Sequence, residues 1–304
     1  MFDRALGDST VLVLQGFNIL NHNENGTYTA TSTHTAKALW NFCPKERFAE
    51  QLILDKGMTY CSGFLIGADP GLVGTAAHCA QGFPTEYWII FGFELTGPDD
   101  TRLTFRADDV YFVEKILAAG TPSGDKNDYG VLQLDRAVSR HAPYTKVNHN
   151  LEVDDPLALV GYPMGLPKKT DKGGKVTQVK GIMIRGDVDS YQGSSGSPVF
   201  DGNGLLAGIL VGGSDDFVDD DEDCRFTAVC PGDGGCEKHG EYIVPVCVLL
   251  RDPAVREKLP ELAAQCDVDT NRDQVFTYEL VLSASGQLPL ISLSLLLLLA
   301  FLVV

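Results

Sequence analysis

The sequence predicts an all-β protein, on three observations. Between about residues 43 and 250, short apolar runs of roughly 4–8 residues follow one another, and they are rich in β-branched and aromatic side chains. Turn-forming residues separate these runs at intervals of roughly 8–12 residues, which is typical of a sandwich or a barrel. The chain also contains 32 glycines, a content that favours many tight turns.

Length and composition set the scale of the fold. The chain has 304 residues, of which 44% are hydrophobic and 21% charged, as in a globular protein with a real core. The net charge of −17 argues against nucleic-acid binding, because a phosphate backbone needs a basic face. The β region is about twice as long as one small barrel needs, and the polar stretch 140–155 is the natural joint between two halves.

Residues 1–40 are predicted to be an N-terminal extension outside the main domain, which we expect to span 41–266. They are polar and threonine-rich after one apolar patch, "VLVLQGFNIL". Gln15 and Asn18 interrupt that patch, so it is a poor signal peptide. The alternative interpretation is that this patch forms an ordinary β-strand.

One short helix is predicted over 252–265, "DPAVREKLPELAAQ". Asp252 suits the N-cap and Pro253 the first helical position. Val255, Leu259 and later apolar residues recur at helical spacing, and the helix closes the β domain. Pro260 is expected to kink or shorten it.

The C-terminal end predicts an attachment to a membrane. Residues 267–287 read as a linker, and 288–304 form a nearly continuous apolar tail with no charge. Two interpretations stay open: a short membrane span, or a lipid-anchor signal that is removed and whose small residues are "SASG" (283–286). Both place the protein outside the cell or at the cell surface.

Eight cysteines favour an oxidising compartment and four disulfides. Zinc is the disfavoured alternative, because no C-x2-C pair is present. The acidic stretches 215–224 and 267–274 are read as solvated loops, with calcium as the less favoured alternative. We expect no metal and no cofactor. The cysteines are Cys43, Cys61, Cys79, Cys224, Cys230, Cys236, Cys247 and Cys266.

The stretch "DSYQGSSGSP" (189–198) contains four serines and two glycines. A serine acts as a nucleophile only with a base, an orienting carboxylate and N–H donors for the oxyanion, and glycine turns commonly supply those donors. Of six histidines, only His78 follows a run of small residues and precedes a cysteine. A Cys61–Cys79 disulfide would hold the loop that presents His78. The other five lie in polar regions: His22, His34, His141, His149 and His239.

Three segments follow one another along the chain in this order: "CSGFLIGADPGLVGTAAHC", "NDYGVLQLD" and "GSSGSPVF". Together they resemble the histidine, aspartate and serine motifs of the chymotrypsin/trypsin-like serine peptidases, in particular the bacterial-type branch. The resemblance covers about 43–250. It implies two antiparallel six-stranded β-barrels, over about 41–140 and 150–250, with a short C-terminal helix.

The resemblance also implies a role for each matching residue. Ser195 matches the nucleophile, His78 the general base and Asp128 the carboxylate that orients it. The backbone N–H groups of Gly193 and Ser195 would form the oxyanion hole. Ser194 stands where the digestive enzymes carry an aspartate that pairs with a freshly cut N-terminus, so we expect no dependence on that pair.

Specificity is the less determined part of the resemblance. Asp189 matches the position at the floor of the pocket that receives the substrate's P1 side chain, where an aspartate selects Arg or Lys. Gly213 would leave that pocket open. Asp189 as a solvated turn residue is the equal alternative. Glutamyl specificity is disfavoured, because Leu210 stands where those enzymes place a pocket histidine.

The sequence therefore predicts a serine endopeptidase that acts on protein or peptide substrates through an acyl-enzyme. Two alternatives stay open. One is a catalytically silent peptidase-like binding module, and the other is an esterase on the same fold.

Overall fold

The structure is a computed structural model of the chain, and it describes residues 4–17, 19–30, 33–54, 59–95, 103–121, 127–213, 216–219, 224–228 and 240–267. The chain divides into two units, 1–267 and 268–304. The second unit lies outside the described residues, so the predicted linker beyond Asp267 and the apolar tail stay predictions. Most of the two acidic stretches lies outside them as well.

Strands dominate the described residues, with four short α-helices. The strands are β1 (Thr10–Gln15), β2 (Leu20–His22), β3 (Thr27–Ala30), β4 (Thr33–Thr35), β5 (Leu52–Leu54), β6 (Thr59–Ala68), β7 (Gly71–Thr75), β8 (Tyr87–Phe91), β9 (Thr104–Arg106), β10 (Val110–Ala119), β11 (Gly130–Leu134), β12 (Pro156–Gly161), β13 (Lys169–Lys180), β14 (Met183–Gly186), β15 (Pro198–Asp201), β16 (Leu206–Gly212), β17 (Phe217–Asp219), β18 (Arg225–Thr227) and β19 (Glu241–Pro245). The helices are α1 (Ala36–Trp40), α2 (Val246–Leu250), α3 (Pro253–Lys258) and α4 (Pro260–Ala264).

Twelve of these strands close two antiparallel barrels, as the sequence predicted. The first barrel has the order β1-β6-β7-β11-β10-β8, and the second has the order β12-β13-β14-β19-β16-β15. Closure leaves no free sheet edge, and each barrel is filled by buried aliphatic side chains. The polar joint 140–155 connects β11 to β12 and contains no named strand, although Val147 forms an isolated β-bridge with Leu206.

The first barrel begins earlier than the sequence predicted. Strand β1 lies inside the predicted N-terminal extension, yet it pairs with both β6 and β8. Its apolar side chains are buried, Leu12 and Leu14 among them. The domain therefore starts near residue 10 instead of 41, and residues 16–58 are a long connection between two neighbouring barrel strands.

The predicted C-terminal helix is divided at Pro260. Helix α3 ends at Lys258, and Leu259 adopts φ −128° and ψ 54°, which is not helical. Proline carries no N–H and its ring clashes with the preceding turn, so α4 starts afresh with Pro260 in its first position. Asp252 is the N-cap of α3, where its side chain accepts a hydrogen bond from the N–H of Ala254 at 2.9 Å.

Three disulfides join cysteines in the described residues, namely Cys43–Cys224, Cys61–Cys79 and Cys247–Cys266. Cys230 and Cys236 lie outside the described residues, so a fourth bridge stays a prediction. Among the helices of the described residues, none has the length and apolar character needed to cross a membrane.

Candidate active site

His78 is presented by a short turn at the end of β7. A single 3-10 turn, Ala77–Cys79, follows that strand. The Cys61–Cys79 disulfide ties the turn to β6. The His78 side chain is 32% exposed, so part of the ring is open to solvent. The turn is held on one side by a covalent bond and on the other by its strand.

Asp128 lies beside His78 because their strands are paired. Gly130 of β11 stands opposite Thr75 of β7, which brings the residues flanking those two positions together. The Oδ2 of Asp128 is 2.7 Å from Nδ1 of His78, and its Oδ1 accepts the backbone N–H of His78 at 3.0 Å. Asp128 is fully buried. A carboxylate so placed favours the tautomer with a proton on Nδ1, which leaves Nε2 able to accept a proton.

The segment that carries Ser195 turns sharply at two glycines. Gly193 has φ 96° and Gly196 has φ 83°, backbone conformations that side chains disfavour. Space forbids a side chain as well: a Cβ on Gly196 would lie 2.2 Å from the carbonyl oxygen of Ser62. The N–H of Ser194 donates to the carbonyl of Tyr191 at 2.8 Å, and this bond closes the turn.

Ser62 links this turn to the first barrel. Its N–H donates to the carbonyl oxygen of Ser195 at 2.8 Å. Its hydroxyl donates to the carbonyl of Gly193 at 3.1 Å and accepts the N–H of Tyr162 at 2.9 Å. The Sγ of Cys79 lies 3.7 Å from the Ser195 carbonyl oxygen. The structure thus brings the segments of His78, Asp128 and Ser195 together where the barrels meet.

The other serines of the stretch have separate surroundings. Ser190 donates to Oε2 of Glu241 at 2.7 Å. Ser194 is buried, and its hydroxyl accepts the N–H of Tyr191 at 3.4 Å. Ser197 is also buried, and within the described part of the chain its hydroxyl oxygen has no hydrogen-bond partner.

The two predicted specificity residues lie in different surroundings. Asp189 lines a cavity of about 250 Å³ together with Arg47, Lys169 and Tyr191. Gly213 lies against Glu241 instead, since a Cβ at Gly213 would be 2.0 Å from Oε2 of that glutamate. Asp189 and Tyr191 therefore border one cavity, whereas Ser190 between them contacts Glu241 on β19.

The long connection 16–58 supports the Ser195 segment, a role that the sequence did not reveal. Arg47 donates to the hydroxyl of Tyr191 at 2.6 Å. Buried Glu46 accepts both the N–H and the hydroxyl of Thr227, at 2.9 and 3.0 Å. The Cys43–Cys224 disulfide joins the connection to the same region. In the sequence, Cys43 was the single residue that indicated this contact, and its disulfide partner could not be predicted from the sequence.

A packed apolar cluster lies beneath these polar contacts and joins the connection to the second barrel. Its buried members are Ala36, Phe42, Ala49, Ile53, Met164, Leu166 and Tyr191. Next to it, burial and then the charge of Arg47 lower the pKa of Lys169 to about 8. The Lys169 ammonium group donates to Gln51 and to the carbonyl of Pro167.

One group of potential metal ligands is found among the described residues: Cys61, His78 and Cys79. Its two sulfurs are bonded to each other, so neither is the thiolate that zinc requires. This group of three residues therefore does not fit a zinc ion.

Comparisons with known proteins bear on the same region. Residues 61–209 match the family model described as the trypsin-like peptidase domain. The glutamyl endopeptidase of Bacillus licheniformis is 26% identical over 146 residues, 46% of this chain and 45% of that protein. The chain thus spans less than half the length of that relative. A crystal structure of a thermostable serine protease from an extremophilic microorganism is 13% identical, with 87% of this chain and 100% of that chain covered and a TM-score of 0.48.

Proposed function

We propose that this chain, whose residues 61–209 match the trypsin-like peptidase domain, is a serine endopeptidase. Ser195 would be the nucleophile, His78 the general base and Asp128 the group that orients it. The observation that supports this most directly is the pair of hydrogen bonds from one buried carboxylate to the ring and the backbone of His78.

The proposed reaction has two stages. Nε2 of His78 takes the proton of Ser195 while Oγ attacks the peptide carbonyl, and the same nitrogen then returns that proton to the leaving amine. Water, activated by His78, hydrolyses the resulting acyl-enzyme and frees Ser195. Asp128 stays ionised and stabilises the imidazolium that forms between these transfers.

Charge on the substrate oxygen would be stabilised by the N–H groups of Gly193 and Ser195. The hydrogen bonds that hold the turn around Gly193 and Ser195 support this role. Ser62 holds the carbonyl of each of these two residues, and Ser194 closes the turn onto Tyr191. These bonds come from within the folded chain, which supports a site that needs no freshly cut N-terminus.

The test of this proposal is covalent labelling. A fluorophosphonate should react with the purified protein, and Ser195→Ala should abolish the reaction. The matched control is Ser197→Ala, because that hydroxyl is buried and has no hydrogen-bond partner in the described residues. Labelling that survives in Ser195→Ala, or is lost equally in Ser197→Ala, would contradict the assignment. Labelling without peptide cleavage would favour the esterase alternative, and no labelling would favour a silent binding module.

We also propose that the protein acts outside the cell. The three disulfides of the described residues support an oxidising compartment. A preference for Arg or Lys at P1 is proposed as well. The glutamyl endopeptidase relative makes cleavage after glutamate the natural competitor, and cleavage rates for peptides that differ only at P1 would distinguish the two.

A further inference from the structure

Asp128 lies just outside a strand, so strand pairing brings it near His78 without fixing its carboxylate. Strand β11 begins at Gly130, and Tyr129 is the single residue between them. The backbone carbonyl of Tyr129 accepts the N–H of Gly120 at 2.8 Å. Its ring lies over the same glycine, where a Cβ would stand 2.9 Å from Cε1. The conformation of Tyr129 therefore governs how Asp128 is presented to His78.

The hydroxyl of Tyr129 is held by a carboxylate of the C-terminal helical segment. It donates to Oδ2 of Asp252 at 2.9 Å, across 123 positions of the sequence. Burial, followed by the hydrogen bond and the charge of Asp252, raises the pKa of Tyr129. The phenol therefore stays protonated at neutral pH and keeps donating. A hydrogen bond to a charged acceptor is stronger than one between neutral groups.

Asp252 is itself fixed through both carboxylate oxygens. While Oδ2 accepts the phenol, Oδ1 caps helix α3. That helix lies against the first barrel, since a Cβ on Gly67 of β6 would be 3.1 Å from Cδ2 of Leu259, the C-cap of α3. The Cys247–Cys266 disulfide closes the helical segment around Asp252. The acceptor is therefore anchored on a helix that packs on the first barrel.

We propose that Tyr129 and Asp252 form a positioning pair, through which helix α3 holds the Asp128 carboxylate against His78. The inference rests on the proposed function and adds two residues that act through Asp128 instead of touching the reacting atoms. Strand pairing brings the segments of Asp128 and His78 together, and the positioning pair removes the remaining freedom of the Asp128 backbone. The C-terminal helix thereby supports catalysis as well as closing the β domain.

Small displacements of the Asp128 carboxylate matter because it makes two bonds to His78. One oxygen is 2.7 Å from the ring nitrogen Nδ1, and the other accepts the backbone N–H at 3.0 Å. A rotation of the peptide between Asp128 and Tyr129 would disturb both bonds together. The imidazole ring would then lose the orientation that the proposed proton transfer from Ser195 needs.

Tyr129→Phe tests the proposal because it removes only the hydroxyl that makes the contact. A small misplacement of a catalytic group slows the reaction, so kcat for peptide hydrolysis should fall by about 10-fold while KM stays the same. Asp252→Ser should give the same loss, since serine caps α3 with its single oxygen and leaves none for the phenol. Asp252→Asn still caps α3 and offers the phenol an N–H donor, so its kcat should lie between those of wild type and Asp252→Ser.

Two comparisons separate positioning from a general loss of stability. First, kcat is expressed per active site, counted by fluorophosphonate labelling taken to completion, so that unfolded molecules do not lower it. Second, Tyr144→Phe is the matched control, because it removes another part-buried tyrosine hydroxyl, which donates to the carbonyl of Leu6 from the joint between the barrels. This control should lower the free energy of unfolding and leave kcat per active site unchanged.

The double variant Tyr129→Phe/Asp252→Ser gives the sharpest outcome. Its kcat should equal that of either single variant, because both substitutions remove the same bond. If Asp252→Ser does not fold, Tyr129→Phe decides against its Tyr144→Phe control.

The outcomes also separate this inference from the proposed function. Losses that multiply in the double variant, or an equal loss in Tyr144→Phe, would overturn the inference and leave the peptidase proposal standing. A kcat of Tyr129→Phe within about 2-fold of wild type would do the same. A wild type that fluorophosphonate does not label would defeat the peptidase proposal and this inference with it.

Discussion

The two halves of the candidate site are built in different ways. His78 and Asp128 belong to one barrel, they are 50 residues apart, and neighbouring strands align them. The Ser195 turn depends on distant segments instead. Ser62 reaches Gly193 across 131 residues, and Arg47 reaches Tyr191 across 144.

This difference indicates where each half is vulnerable. The His78–Asp128 pair is a local product of β7, β11 and one disulfide, so a substitution there should affect chemistry more than shape. The Ser195 turn is a product of tertiary contacts, so substitutions far from Ser195 in sequence should alter its reactivity.

The largest effect is expected from Asp128→Asn. The amide would present an N–H where the ring needs an acceptor, so it favours the wrong tautomer of His78, and kcat should fall by roughly 10⁴-fold. Peptide hydrolysis measures the effect, and circular dichroism checks that the fold is kept. A loss below about tenfold would show that Asp128 is not the orienting group.

Ser62→Ala tests the Ser195 turn, which is the other half of the candidate site. It removes one donor to Gly193 and one acceptor for Tyr162, both buried. We expect kcat to fall by about 10- to 100-fold with little change in KM, because the oxyanion donors lose their alignment. Ser62→Thr keeps the hydroxyl and should recover much of the rate. A rise in KM alone would place Ser62 in substrate binding instead.

A smaller effect is expected from Arg47→Gln. The guanidinium donates to Tyr191 and stacks on the ring of Phe48, at 4.6 Å from its centroid. Its loss should lower the free energy of unfolding by about 2 kcal/mol and slow fluorophosphonate labelling several-fold. Chemical denaturation and labelling rates measure the two effects. Normal labelling in a destabilised variant would show that the connection stabilises the fold without shaping the turn.

The smallest expected effect is a pH dependence at Lys169, beside the same connection. Its folded pKa, about 8, lies below the usual 10.5, so the charged form is disfavoured in the folded state. That destabilisation is complete below about pH 8 and disappears as the pH rises towards about 10.5. As the pH rises from about 8 to about 10.5, the free energy of unfolding of wild type should therefore increase by about 1 kcal/mol relative to that of Lys169→Met. This figure is reduced from the full effect of the pKa shift because Lys169 is partly exposed. Urea unfolding at several pH values measures the difference, and a constant difference would contradict the shifted pKa.

The sequence predicted the two barrels and the groups of the candidate site because these depend on local patterns. Strand runs, a glycine turn and the residues around His78 are each read within a dozen positions. It misplaced the start of the first barrel, because β1 has an apolar run without a motif. The docking of Arg47 and the position of Glu241 were not foreseen, since they arise from pairings between distant segments.

The Cys43–Cys224 bridge also sets an order of events. It joins residues 181 positions apart, so it closes only after nearly the whole domain has been synthesised. It also requires an oxidant, because thiols persist in a reducing cytosol. The support of the Ser195 turn is therefore completed late, and a protein that acts outside the cell, as proposed above, would complete it only after leaving the reducing interior where its own cell's proteins are exposed.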